Sequence, residues 1–180
     1  ILMAQLTADL RMFRLKEEYV IGDFDCGNQD LNDFLLKEAK LFSKYLLSVT
    51  YIIEQHGDVV AFFSLSNDKI SIPDSDKSTW RKIKSIFPHR KHRSDYPAVK
   101  IGRLGVSKKY QRSRIGSVIL NAVRTMYVEE NRAGCTFITV DALKEAVPFY
   151  LKNGFKFLKK SEENDGKETS LLYFNLTSLS

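Results

Sequence analysis

Between Val99 and Tyr127 the chain changes its apolar period once, and that change sets the class of fold. Val99–Val106 is a β-rich run, and residues 107–114 are almost entirely polar. Ile115, Val118, Ile119, Ala122, Val123, Met126 and Tyr127 then recur at three- and four-residue spacing, the stripe of an amphipathic helix. A strand that feeds a helix through a tight polar turn belongs to an α/β domain. Such a turn also presents backbone N–H groups and a helix N-terminus, an arrangement suited to an anion such as the phosphates of a nucleotide.

The rest of the chain repeats the alternation, with no low-complexity stretch and no internal repeat. Met12–Lys16 reads as a first strand. Leu31, Phe34, Leu35, Leu41, Phe42 and Tyr45 predict an amphipathic helix over residues 30–46, with Asn28 or Asp30 as its N-cap. Ser48–Gln55 and Val59–Ser66 form a hairpin around His56-Gly57-Asp58. Residues 67–98 read as an irregular insert, in which Trp80, Ile83 and Phe87 line one face of a short helix stopping before Pro88. Thr136–Val140 is a strand, Tyr150 lies on a short helix closed by Gly154, and Phe155–Leu158 pairs with Thr169–Leu176. The expectation is one α/β domain over residues 1–180, a central mixed β-sheet flanked by helices.

Composition excludes several classes. No apolar run approaches the ~20 residues of a membrane span, and none near the start suits a secretory leader. Cys26 and Cys135 are too few and too far apart for a disulfide framework, and are expected to be reduced, buried thiols of a cytoplasmic protein. His89 and His92 stand three residues apart, but their neighbours are cationic and repel metals, so no metal site is expected.

The net charge of +6 is local. Residues 81–93 hold Arg81, Lys82, Lys84, Arg90, Lys91 and Arg93 with no acid, and elsewhere basic residues equal the 22 acids in number. A neutral body with one basic segment suggests a polyanionic partner. Trp80, Phe87 and Tyr96 are interleaved with these cations, offering rings for bases beside charge for phosphates. The other reading is a solvated basic loop with its rings tucked against the core.

In order and spacing, Ile101-Gly102-Arg103-Leu104-Gly105-Val106, Tyr110-Gln111-Arg112-Ser113-Arg114-Ile115-Gly116 and Val147–Phe155 resemble the GNAT acyltransferases, which move acetyl from acetyl-CoA to an amine. Phe24-Asp25-Cys26-Gly27-Asn28-Gln29-Asp30-Leu31, Phe34-Leu35, Val140-Asp141-Ala142 and Phe149-Tyr150 are similar to one branch, the toxins of toxin–antitoxin pairs. Those toxins acetylate the α-amino group of aminoacyl-tRNA and are capped by small ribbon-helix-helix antitoxins. The resemblance covers nearly the whole chain.

It implies acetyl-CoA as cofactor, held by Leu104, Gly105, Val106, Gln111, Arg112, Ser113, Arg114, Ile115, Gly116 and Ser117. The Val106 N–H takes the role of polarising the thioester carbonyl. Tyr150 takes the role of general acid, because a phenol near pKa ~10 keeps its proton at neutral pH and can deliver it to the leaving sulfur. Arg81, Lys82, Lys84, Arg90, Lys91 and Arg93 become the RNA-contacting set, and tRNA and an antitoxin the partners. A homodimer is left open. So are a small amine or a protein amino group as acceptor, and a CoA- or RNA-binding role without catalysis.

The sequence departs from the family at one place. The family turn runs Gln-Gly-x-Gly-x-Gly or close to it, and here Arg112 and Arg114 occupy the first two glycine positions. Arginine adds charge for a diphosphate but is expected to forbid the backbone angles that only glycine reaches.

Overall fold

The computed structural model describes residues 4–5, 9–88, 93–130, 132–160, 163 and 166–179. Its contacts divide the chain into two compact units. One is built from residues up to 66 with 101–123, the other from 67–100 and 124 onward.

The first unit is antiparallel. Strand β1 (Ala4–Gln5) pairs with β2 (Arg11–Arg14), β2 with β3 (Val49–Gln55), and β3 with the first part of β4 (Asp58–Ser71). The predicted hairpin closes on His56 and Gly57 at φ 51° and 88°, the paired left-handed residues of a two-residue turn. Residues 101–106 of β5 (Asp95–Val106) belong here too.

A helical stretch follows β2 in three pieces: α1 (Gln29–Asp33), a π turn over Phe34–Glu38, and α2 (Ala39–Lys44). Asn28 is the N-cap, its side chain accepting from the Leu31 N–H at 3.1 Å. In the π turn the Ala39 N–H reaches back five residues to the Phe34 carbonyl. That extra residue rotates the second half of the helix against the first. Sequence spacing placed Leu41 and Tyr45 on the inward face, but they are exposed, and Ala39 is fully buried instead. Phe24, Phe34, Leu35, Ala39, Ile52 and Phe62 form this unit's core.

The second unit holds the parallel pairing. β5 meets β6 (Phe137–Leu143) from Ala98 opposite Phe137 to Lys100 opposite Thr139. β6 then pairs antiparallel along its whole length with β8 (Thr169–Asn175), and β7 (Lys156–Phe157) pairs with β8. Parallel and antiparallel pairs in one sheet make it mixed, as expected. Residues 67–98, read as irregular, are mostly regular: β4 runs on to Ser71, α3 spans Lys77–Ser85, and β5 starts at Asp95. The polar end of β4 is steadied by its partners. The Thr139 hydroxyl donates to Asp68, and Lys100 Nζ lies 3.9 Å from Asp68 and 2.8 Å from Asp141.

Gly105 is the glycine that packing demands. A Cβ there would sit 2.7 Å from the ring of fully buried Phe62 and 3.5 Å from Cys26 Sγ. Gly105→Ala is expected to lower stability by about 1–3 kcal/mol through overpacking. An unchanged denaturation midpoint would show that Phe62 has room to move.

Candidate active site

The turn that follows β5 is clasped from below by the segment after β2. Lys108 N–H donates to the Asp25 carbonyl at 2.9 Å, and Lys108 Nζ meets the Asp25 carboxylate at 2.8 Å. That carboxylate also accepts from Asn32 Nδ2 at 3.0 Å and from Gly27 N–H at 2.8 Å. Gln111 Nε2 completes the clasp by donating to the carbonyls of Cys26 at 2.8 Å and Val106 at 3.0 Å. Gln111 thus holds the turn's shape with its amide. The motif Asp25-Cys26-Gly27-Asn28 acquires a physical reason, since it folds under the strand end.

Above the clasp the backbone takes the bend that the two arginines were expected to forbid. Arg112 and Arg114 adopt φ of 68° and 65°, the left-handed region where a side chain costs energy and glycine does not. Both arginines and Ser113 are exposed. The Ser113 hydroxyl and N–H both turn back to the Tyr110 carbonyl. Helix α4 (Ile115–Glu129) begins at once, its first hydrogen bond running from Val118 to the Arg114 carbonyl at 3.1 Å. An arginine at that position offers no acceptor to the helix's first N–H groups, which suits an external anion better than an internal cap. Ile115 is buried, while Gly116 and Ser117 are partly exposed. Leu104 and Val106 are partly exposed on β5.

Arg103 was not singled out in the sequence. Its guanidinium lies 3.9 Å over the Phe34 ring and 5.6 Å from that of Phe42, pinning the π turn to β5. An arginine between apolar strand residues, with two helix phenylalanines upstream, was the available signal.

In the second unit Tyr150 sits on α5 (Val147–Lys152), between Phe149 at 5.0 Å and Phe155 at 5.3 Å. The residue is 5% exposed. Burial pushes its phenol above the ordinary value, so the group stays protonated through and beyond neutral pH. Gly154 closes the helix at φ 84° as predicted.

The basic residues divide. Arg81, Lys82 and Lys84 are on α3, and Arg93 is exposed before β5. Arg90 and Lys91, like His89 and His92, lie outside the described residues. A groove of about 480 Å³ runs along α3, lined by Ile72, Ser75, Trp80, Ser85 and the cations Lys77, Arg81 and Lys84. Lys77 was missed, although its spacing to Arg81 and Lys84 puts all three on one helical face. The rings are inside: Trp80 and Tyr96 are 8% and 3% exposed, and Phe87 stacks on Tyr96 at 4.3 Å. They belong to the core around Phe137 and Tyr173 and leave the groove its charge without base-stacking platforms.

Neither cysteine is activated. Burial raises both thiols, that of Cys135 to about 11. Among the described residues no group of three or more His, Cys, Asp or Glu gathers as for a metal, and no helix is long and apolar enough to cross a membrane.

The fold recurs in known proteins. Residues 84–169 match the acetyltransferase (GNAT) domain family. Over that stretch the chain is similar to the GNAT acetyltransferases, and its fold is the GNAT fold. Among solved structures it is similar to AtaT complexed with acetyl-methionyl-tRNAfMet, at TM-score 0.73 and 20% identity over 95% of this chain and 97% of that one. A tyrosine-to-phenylalanine mutant of KacT gives TM-score 0.74 and 23% identity, covering 95% and 97%. The corresponding kind of mutant of the AtaT toxin, bound to the C-terminus of the antitoxin AtaR and acetyl-CoA, gives 0.67 and 20%, covering 95% and 96%.

Two outcomes follow from the clasp and the turn. The Lys108 ammonium first, then Asn32 and the Gly27 N–H, hold the Asp25 carboxyl at about 2. This lies below the unfolded value near ~3.9, so the stabilisation is complete above that pH and is lost as pH falls through about 2. Asp25→Asn is expected to unfold at lower temperature than wild type at pH 6, the gap closing toward pH 2. A gap independent of pH would contradict the clasp. Replacing Arg112 and Arg114 together by glycine is expected to relieve the left-handed strain and raise stability by about 1 kcal/mol. A lowered denaturation midpoint would show that the side chains contribute more than the backbone suffers.

Proposed function

We propose that this protein is an acetyl-CoA-dependent N-acetyltransferase whose acceptor is the α-amino group of aminoacyl-tRNA, acting in the cytoplasm and held in check by a small ribbon-helix-helix antitoxin. The observation that carries the reading is the clasped turn. It leads from the end of β5 to two exposed arginines and an α-helix start, a cradle for a diphosphate. The similar solved structures, which hold acetyl-CoA, an acetylated aminoacyl-tRNA and an antitoxin, point the same way.

The residues fit acetyl-CoA. Arg112 and Arg114 add guanidinium charge where the diphosphate would lie, alongside the N–H groups of Ile115, Gly116 and Ser117. The β5 edge at Leu104–Val106 would offer backbone groups to the pantetheine amides, and the Val106 N–H would polarise the thioester carbonyl. Acetyl-CoA supplies an acyl group on a good leaving thiolate. The chain's part in this reading is orientation and a proton: Tyr150 Oη would give its hydrogen to sulfur as the C–S bond breaks, and the phenolate would take one back from water. The incoming amine gives its own proton to water as its C–N bond forms. An α-amino group with pKa near ~8 is partly neutral at pH 7, so no strong base is needed.

The cationic face of α3 is the RNA contact in this reading, through phosphates alone because its neighbouring rings are buried. Transfer of labelled acetyl from acetyl-CoA to bulk aminoacyl-tRNA is expected with wild type and to fall at least about a hundredfold in Tyr150→Phe. Exchanging Lys77, Arg81 and Lys84 for alanine is expected to weaken the tRNA reaction about tenfold and to flatten its salt dependence. Acetyl-CoA binding without transfer to tRNA would redirect the search to small amines and protein amino groups. Undiminished turnover in Tyr150→Phe would remove the phenol from the reaction.

A further inference from the structure

The turn at the end of α5 has to be held if Tyr150 is to point consistently, and α5 is too short to hold itself. Its last residues fold back on local bonds: Asn153 N–H and Phe155 N–H both reach the Tyr150 carbonyl, at 3.0 and 3.1 Å, and Asn153 Nδ2 reaches the Phe149 carbonyl at 2.8 Å. These bonds tie the turn to the helix, but they do not tie either to the rest of the unit. A side chain of α4 does. Arg124, half-buried on α4, donates through its guanidinium to the Asn153 carbonyl. The same guanidinium lies 4.0 Å over the Phe174 ring and 5.9 Å from Phe155. Phe174 packs on Phe155 at 5.5 Å, and Phe155 packs on Tyr150 at 5.3 Å. At Gly154 a Cβ would come within 3.3 Å of Phe174, so the turn also sits close against that ring.

We infer that Arg124 is the positioning residue for Tyr150, acting at once on the backbone turn through Asn153 and on the ring stack through Phe174 and Phe155. The proposal rests on the reading of Tyr150 as proton donor but is separable from it. Guanidinium chemistry suits both tasks. Its planar face stacks on an aromatic ring while its edge donates to a carbonyl, and a charged donor at a helix C-terminus is favoured by the exposed carbonyls there. A lysine at the same place keeps the charge and one donor but cannot do both.

The test pairs kinetics with a signal from the phenol. In protein labelled with ¹³Cζ-tyrosine, the line lost in Tyr150→Phe belongs to Tyr150. Arg124→Met is expected to shift that line and to raise its broadening by a soluble paramagnetic agent, with the fold intact by circular dichroism. Its kcat for acetyl transfer should fall about tenfold or more, as a small displacement of a reacting group requires, while KM for acetyl-CoA stays within about twofold. Arg124→Lys, which guards against a Met variant that fails to fold, should fall between the two. Folded variants with an unmoved line and wild-type kcat overturn the proposal. A wild-type protein that transfers no acetyl group overturns the activity instead, and the movement of the line still decides whether Arg124 positions the phenol.

Discussion

The double hydrogen bond from Gln111 to the carbonyls of Cys26 and Val106 is the contact on which the candidate site rests. It joins the end of β5 to a loop far upstream in sequence, and with the Asp25–Lys108 pair it fixes the path of the chain just before the two arginines. A turn with positive φ at two non-glycine residues persists only when its surroundings determine it. The clasp supplies that determination. It also leaves the arginine side chains outside, where their charge can meet an anion, while the backbone cost is absorbed by bonds beneath.

The two ends of the proposed chemistry are built on opposite electrostatic principles. The turn is exposed, cationic and rich in backbone donors. Tyr150 is enclosed by rings and raised in pKa by burial, which keeps it protonated at neutral pH. An anion is best bound where donors are already oriented, and a proton is best kept where ionisation is penalised. The basic face of α3 adds a third environment, charge over an apolar floor of Ile72 and Trp80, suited in the proposed function to phosphates and not to bases.

Much of this was legible in the sequence, and the exceptions share a cause. The stripe of α4, the Asn28 cap, the His56-Gly57 turn and the Gly154 stop are local signals, and each stands in the structure where its chemistry put it. The π turn was hidden because its single extra residue leaves composition unchanged yet turns Leu41 and Tyr45 outward. The end of β4 was hidden because Ser66-Asn67-Asp68-Lys69 reads as a loop until Thr139 and Lys100 satisfy Asp68 from other strands. Gln111 read as a ligand contact because a polar residue in a turn gives no sign of which carbonyls it will find. Trp80 and Tyr96 left nucleic acid and core equally open, because aromatic residues among cations look alike whether their rings face solvent or core. Long-range partnership is what a local pattern omits.

Calorimetric titration of acetyl-CoA into the protein at low and at moderate salt probes the clasped turn most directly. One molecule should bind per chain, with affinity falling as salt rises, because guanidinium and backbone donors at the turn meet a diphosphate. Absence of binding, or binding indifferent to salt, would contradict a site built on Arg112, Arg114 and the start of α4.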